Sequence, residues 1–320
     1  METYLGLDFG GTKLLIGEVT AAGDILSSNR YDTRVSSQTE AVEVLRKALE
    51  DYQLRVGWQG DLQAAGVGIV GVTDHQRGLW ISMNHEIVGP PLPLAKIVGD
   101  MIGVPTVLDN DVRSATTAEM LLGHGRNSDN FIYINVGTGV AAGMVVNGRI
   151  LRGAHNNSGE VGHFGCDLSD HTLCVCGREG CVENAVSGVG FTRQYQLLHG
   201  MYTDTQLKPM ADGRLDAAEL FALADKGDPL AERIAGYGAT VLANLIMNLV
   251  RVSDPDLVVL GGGVVSDGWL LKRVEKQLNP ATMRGVTGGV VLSALDPGKA
   301  GLVGAASLGM RLMMKRRITA

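Results

Sequence analysis

The chain has 320 residues, 45 % of them apolar and 19 % charged, which gives ample core for two domains and is the opposite of a disordered composition. A formal charge of −6, with a basic cluster only at Lys315, Arg316 and Arg317, argues against the basic face that nucleic-acid binding needs. No basic leader precedes the first strand-like run, and no apolar run approaches the ~20 residues of a membrane span; the best, Leu257 to Val265, is broken by three glycines. A cytoplasmic protein is expected, with neither nucleic acid nor membrane as partner.

In chain order, Tyr4 to Phe9 reads as a strand and is followed by Gly10-Gly11-Thr12-Lys13. A second strand covers Leu14 to Thr20, and after a turn at Ala22-Gly23-Asp24 a third begins at Ile25. Gln38 to Leu54 has helical spacing, and Ala64 to Val70 and Pro105 to Leu108 read as buried strands. Asp111 to Leu122 reads as a helix with Ala115, Ala118 and Leu122 on one face. The opening plan then recurs: Phe131 to Val136, Gly137-Thr138-Gly139, a strand near Gly143 to Val146, a turn at Asn147-Gly148 and a strand at Arg149 to Leu151. Aligned on Asp8 and Asn135, the two units share three successive elements, which predicts an internally duplicated, two-lobed architecture.

Beyond a cysteine-rich segment, the chain reads as helical from about Ala217 to Arg251. Leu257 to Leu260 then forms a buried strand ending in Gly261-Gly262-Gly263. Leu302 to Met314 predicts a helix, about 302–320, that packs back onto the first lobe. Strands alternating with helices give an α/β fold with largely parallel sheet. The lobe boundary is expected near Asp111, dividing a small lobe, 1–111, from a larger one, 112–301, that carries the cysteines.

Consecutive backbone N–H groups in a glycine turn can hold a phosphate chain, because only glycine lets the backbone come so close. Gly10, Gly11, Thr12 and Lys13 supply one such turn, and Gly137, Thr138 and Gly139 a second. Neither is a Walker loop, so a P-loop NTPase is excluded. The matched pair points to two loops around β- and γ-phosphates, with Asp8 placed to hold Mg²⁺ through water; its alternative role is to cap the turn. Gly261, Gly262 and Gly263 offer a flat surface for adenosine, or else a close packing contact.

Val107-Leu108-Asp109-Asn110-Asp111 carries three polar residues at the end of a strand that runs into a helix, where ligands of such sheets lie. Phosphoryl transfer asks for a carboxylate that orients and deprotonates the attacking hydroxyl, which Asp111 could supply. The competing reading is that Asp109 or Asp111 caps the helix. Cys174, Cys176 and Cys181 fall within eight residues, a spacing for metal rather than for a disulfide framework. With one imidazole they make a closed structural Zn²⁺ site, and by spacing His163, Cys166 and His171 are all available as the fourth ligand. Glu160 and Glu183 flank this segment, and carboxylates on a metal-fixed loop suit vicinal sugar hydroxyls.

Asp8-Phe-Gly-Gly-Thr-Lys13, Asn110-Asp111, Gly137-Thr-Gly139, Gly159-Glu-Val-Gly-His163 and Cys174-x-Cys-Gly-x-x-Gly-Cys-x-Glu183 together resemble the ROK group (repressor, open reading frame, kinase) over nearly the whole chain. The resemblance implies an actin/hexokinase-like, ribonuclease H-like duplicated fold with a structural zinc loop. It implies ATP with Mg²⁺ and transfer to a hexose or N-acetylhexosamine, glucokinase-like first, in a homodimer. It carries over Asn110, Asp111, Glu160, His163 and Glu183 as sugar contacts with Asp111 as base, and His163, Cys174, Cys176 and Cys181 as zinc ligands. Asn84 is assigned to the acceptor loop. Val112-Arg113 and His155-Asn156-Asn157 depart from the family pattern, which opens fructose, allose or N-acetylmannosamine as other acceptors. A DNA-binding repressor of this family needs an added helix-turn-helix, for which the start at Tyr4 leaves no room. A non-catalytic sugar sensor and an ATPase with water as acceptor are the remaining alternatives.

Overall fold

In unit 1, strand β1 (Glu2–Phe9) alternates its side chains between two layers. Leu5, Leu7 and Phe9 enter one apolar core, while Tyr4 enters another on the opposite face of the sheet. The computed structural model describes residues 1–83, 90–166 and 172–319. Unit 1 comprises Met1–Asn127, Arg152–Ser158 and Gly298–Ala320, and unit 2 comprises Ser128–Leu151 and Gly159–Pro297.

Following β1 in unit 1 are β2 (Lys13–Thr20), β3 (Ile25–Asp32), helix α1 (Gln38–Arg55), β4 (Asp61–Ile69), a hairpin of β5 (Val72–Asp74) and β6 (Leu79–Ser82), α2 (Leu94–Ile102), β7 (Thr106–Asn110) and α3 (Asp111–Leu121). The sheet runs β3-β2-β1-β4-β7, with β1, β4 and β7 parallel and the two hairpin partners antiparallel. Helices α1 and α2 cover the Leu5–Leu7–Phe9 face. The other face is covered by the C-terminal helix, α9 (Ala300–Thr319), through Leu302, Ala306 and Met310. Its approach is close because Gly6 and Gly66, register partners in β1 and β4, present no side chain to it. A Cβ on Gly66 would lie 1.9 Å from the Ala305 carbonyl oxygen. The handover expected near Asp111 falls inside unit 1, at the first residue of α3, which packs against α9.

Unit 2 contains β8 (Phe131–Val136), β9 (Val140–Val146), β10 (Arg149–Ile150), α4 (Gly188–Leu198), α5 (Ala217–Asp225), α6 (Pro229–Ser253), β11 (Leu257–Gly261), α7 (Trp269–Glu275), α8 (Pro280–Met283) and β12 (Val290–Leu292). Its sheet runs β10-β9-β8-β11-β12 with the same parallel and antiparallel pattern as unit 1. The duplication extends to the loops. Just past the central parallel strand, Gly71 (φ 99°) and Gly262 (φ 95°) both turn in the left-handed region, where a Cβ is penalised. Val70 N–H, just before its glycine, and Val264 N–H, two residues after its glycine, each donate to the last residue of the neighbouring strand, Phe9 and Val136.

Two expectations are corrected. The helix read from Ala217 to Arg251 is two helices, because Gly227 adopts φ 80° and Asp228 caps the second through the N–H groups of Leu230 and Ala231, with Pro229 at its first position. Among the described residues one helix, α6, is long and apolar enough to cross a membrane, although the sequence reading had found no such run. Its apolar side chains, among them Leu242, Ile246 and Leu249, fill the core of unit 2 against β8, β9 and β11.

Candidate active site

The end of β7 sorts its three polar residues into three environments. Asp109 is completely buried, and register places it beside Gly68 of β4. One of its oxygens accepts from Asn110 N–H at 3.0 Å, and the other lies 2.6 Å from Arg152 Nη2. The His75 ring lies 3.6 Å away; burial lowers the pKa of this histidine, opposed by the charge of Asp109. Asn110 is the N-cap of α3, its Oδ1 accepting from Arg113 N–H at 2.9 Å. Neither aspartate is the N-cap, so the competing capping role falls on the residue between them. Asp111 opens the helix exposed to solvent, with Oδ1 accepting from Val112 N–H at 2.9 Å.

At the end of β1, Gly10 N–H donates to Lys13 O at 2.9 Å and closes the first glycine turn. Gly11, Thr12 and Lys13 are exposed, and a Cβ on Gly11 would meet nothing within 4 Å. The fold itself does not need that glycine, whereas a ligand pressed onto the backbone would. Asp8 points to the α9 side and packs against its first turn, where a Cβ on Gly301 would lie 2.2 Å from Oδ2. Burial raises the Asp8 carboxyl pKa, and the Lys13 ammonium only partly offsets this. A bound divalent cation would favour the charged form, so the residue fits Mg²⁺.

In unit 2 the second turn is closed by Gly137 N–H donating to Gly139 O at 3.0 Å. The N–H groups of Gly188 and Val189, in the first turn of α4, donate to Gly137 O and Thr138 O. Glu183 is brought directly onto this turn: its Oε2 accepts from Val140 N–H at 3.1 Å and occupies the space that a Cβ on Gly139 would enter. Glu160 and His163 belong to a single turn against β9, with His163 N–H donating to Glu160 O at 3.2 Å. A Cβ on Gly159 or Gly162 would strike the carbonyl of Ala142 or Val140, at 2.0 and 2.2 Å, which explains the glycine spacing around Glu160. Of the third glycine run, Gly261 and Gly262 are required by packing on Tyr133 and Val136 of β8, while Gly263 faces open space.

A ring nitrogen of His163 and the Sγ atoms of Cys174, Cys176 and Cys181 all lie within 4.8 Å of one another, and it is Nδ1 that meets Cys174. Cys174 Sγ lies 3.4 Å from His163 Nδ1 and Cys176 Sγ lies 3.6 Å from Cys181 Sγ, which matches the ~3.3–3.8 Å expected between donors of a tetrahedral zinc site. Burial and the two neighbouring thiols push the Cys181 pKa up to about 12, so three thiolates here require a cation. The set fits Zn²⁺. Because Nδ1 faces the sulfurs, Nε2 is the His163 nitrogen that could meet a substrate. Cys166 lies outside the cluster, donating to Gly180 O at 3.3 Å, and none of the four cysteines is in a disulfide. Asn84 and His171 fall outside the described residues.

Two arginines outside the family motifs, Arg113 and Arg152, complete the surroundings of Asp109. Arg113 is almost fully buried, and its Nη2 donates to the carbonyls of Asn156 and Ser158, both at 2.8 Å.

A family model described as "ROK family" matches residues 4–311. The glucokinase of Halalkalibacterium halodurans is 30 % identical over 310 residues, covering 94 % of this chain and 93 % of that one. The N-acetylmannosamine kinase of Escherichia coli is 33 % identical over 274 residues, covering 84 % and 86 %. The solved structure of a ROK family glucokinase from Streptomyces griseus, in complex with glucose and AMPPNP, superposes with a TM-score of 0.73 at 28 % identity, covering 97 % of this chain and 99 % of that one. With both glycine turns, the Asn110–Asp111 helix start and the Cys₃His cluster accounted for in three dimensions, this chain belongs to the ROK family.

Proposed function

We propose that the chain is an ATP-dependent sugar kinase that transfers a phosphoryl group to a hydroxyl of a hexose or N-acetylhexosamine, with glucose as the first candidate. The observation that carries the reading is the sorting at the end of β7. Asp109 is buried among cations and Asn110 caps the helix, which leaves Asp111 as the exposed carboxylate at a fixed backbone position.

Asp111 orients the attacking hydroxyl and accepts its proton as the new O–P bond forms and the bond from the γ-phosphorus to the bridging β-phosphate oxygen breaks, with ADP leaving. Asn110 has committed Oδ1 to the cap and offers its Nδ2 donor. Glu183, one oxygen held by Val140 N–H, offers the other to a sugar hydroxyl. Glu160 and the Nε2 atom of His163 hold further hydroxyls. The two glycine turns offer backbone N–H groups to the phosphates of ATP, and Gly263 leaves room beside the nucleotide. Mg²⁺, held by Asp8 through water, would neutralise charge on the β- and γ-phosphates. Zn²⁺ on His163, Cys174, Cys176 and Cys181 would fix the turn that carries Glu160. The names of the relatives and of the glucose-bound neighbour support this reading.

The test is sugar-dependent ADP release with glucose, fructose, allose, mannose, N-acetylglucosamine and N-acetylmannosamine. The highest kcat/KM is expected with glucose. Absence of turnover with every sugar, alongside sugar binding, would replace the kinase with a sensor.

A further inference from the structure

Residues 152–158 form a strap that belongs to unit 1, although the chain on both sides of it belongs to unit 2. Its side chains at His155 and Asn157 are exposed, and Gly153 (φ 76°) and Asn156 (φ 56°) give it an irregular course. A mere linker of that kind would be left to solvent. This one is tethered at both ends to a single buried carboxylate. Arg152, at its start, lies 2.6 Å from Asp109. Near its end, the carbonyls of Asn156 and Ser158 accept from Arg113 Nη2, and Arg113 Nη1 lies 3.7 Å from the other oxygen of Asp109. Ser158 N–H donates back to Arg152 O at 3.2 Å and closes the loop. Exposed polar side chains on so constrained a backbone are the arrangement of a binding element, in which order is established before the ligand arrives.

We propose that Arg113 is a positioning residue for the sugar, acting through the strap; this rests on the kinase reading above. One residue holds two backbone segments that lead into acceptor residues. Its backbone N–H holds the cap on Asn110, beside Asp111, and its guanidinium holds Ser158, which is followed directly by Gly159 and Glu160. Asp109, without exposure, keeps both arginines in register. Arginine is suited to the task because its planar head can bind two carbonyls while keeping a second nitrogen toward Asp109. Without it the strap would wander and the sugar would lose its orientation, while the glycine turns would be untouched.

Arg113→Met, with Arg113→Lys in parallel, tests the proposal in the full-length protein. Arg113→Met is expected to raise the sugar KM about ten-fold or more, with the ATP KM within about two-fold of the unmodified protein. Arg113→Lys, which keeps a charge beside Asp109 without the planar fork, is expected to fall between, and it carries the same comparison if the methionine variant does not fold. Sugar-free hydrogen–deuterium exchange of a peptide spanning 152–158 should accelerate in the same order. Unchanged exchange in a folded variant overturns the clamp. Accelerated exchange with an unchanged sugar KM overturns its role in sugar binding. If the unmodified protein turns over no sugar, the kinase reading falls together with that role, while the exchange data still decide whether Arg113 holds the strap.

Discussion

Replacing Gly139 by alanine places a methyl group 2.3 Å from Glu183 Oε2 and 3.2 Å from its Cδ. An ordinary contact needs roughly 3.5 Å, so the carboxylate must retreat by about 1 Å. In doing so it gives up the 3.1 Å bond from Val140 N–H. The obstacle is the far end of a flexible side chain, so the fold can yield. The expected cost is that of one hydrogen bond, about 1 kcal/mol, or roughly 2–4 °C in melting temperature. Catalysis should suffer far more, because a 1 Å displacement of a group that orients substrate can cost about 10²-fold in rate. Steady-state kinetics with a coupled ADP assay, run beside a thermal melt, separates the two effects. A Gly139→Ala enzyme with normal kcat/KM for sugar would refute the placement of Glu183 in the acceptor site.

Gly11→Ala should melt like the parent, since its Cβ meets nothing in the protein, yet raise the ATP KM about ten-fold; an unchanged ATP KM would remove the first turn from the phosphate site. Gly66→Ala should destabilise unit 1 by about 3 kcal/mol or more, because the methyl meets the Ala305 carbonyl of α9 at 1.9 Å and backbone cannot swing aside; a parent-like melt would contradict the packing of α9 on β4. The raised Asp8 carboxyl pKa makes its charge unfavourable in the fold. The associated stability is present below the unfolded value near 3.8 and is lost as pH rises through the folded one, so Asp8→Asn should raise the melting temperature at pH 7 without added Mg²⁺, and the gain should vanish toward pH 4. One zinc per chain by elemental analysis, lost in Cys176→Ser, is the expectation for the Cys₃His cluster; a metal-free protein with intact melting would refute it.

Much of this was legible in the sequence because it is written locally. The repeated strand–glycine turn–strand plan gave the duplication, and both sheets carry the same strand order. The break between α5 and α6 was written in Gly227-Asp228-Pro229 but was overridden by the helical periodicity on either side. The membrane-like composition of α6 takes its structural meaning from its burial in unit 2. Spacing leaves His163, Cys166 and His171 open as the fourth metal ligand, and three-dimensional contact separates the first two. Arg113 was beyond sequence reasoning for a physical reason: its partners are backbone carbonyls 43 and 45 residues downstream, and a carbonyl leaves no mark in residue type. The same holds for the glycines that α9 presses against. Gly6 and Gly66 lie within runs read as strands, and only the helix packed on them shows why their backbone must be bare.

The central claim is that Asp111 takes the proton from a sugar hydroxyl during phosphoryl transfer. Asp111→Asn keeps the size of the side chain and an acceptor oxygen for Val112 N–H, so the start of α3 should persist. Sugar-dependent ADP release by this variant, compared with the parent and accompanied by calorimetric sugar binding, tests the claim most directly. Turnover reduced by about 10³-fold or more with sugar affinity within a few-fold is the expected result. Near-parental turnover by Asp111→Asn would contradict it.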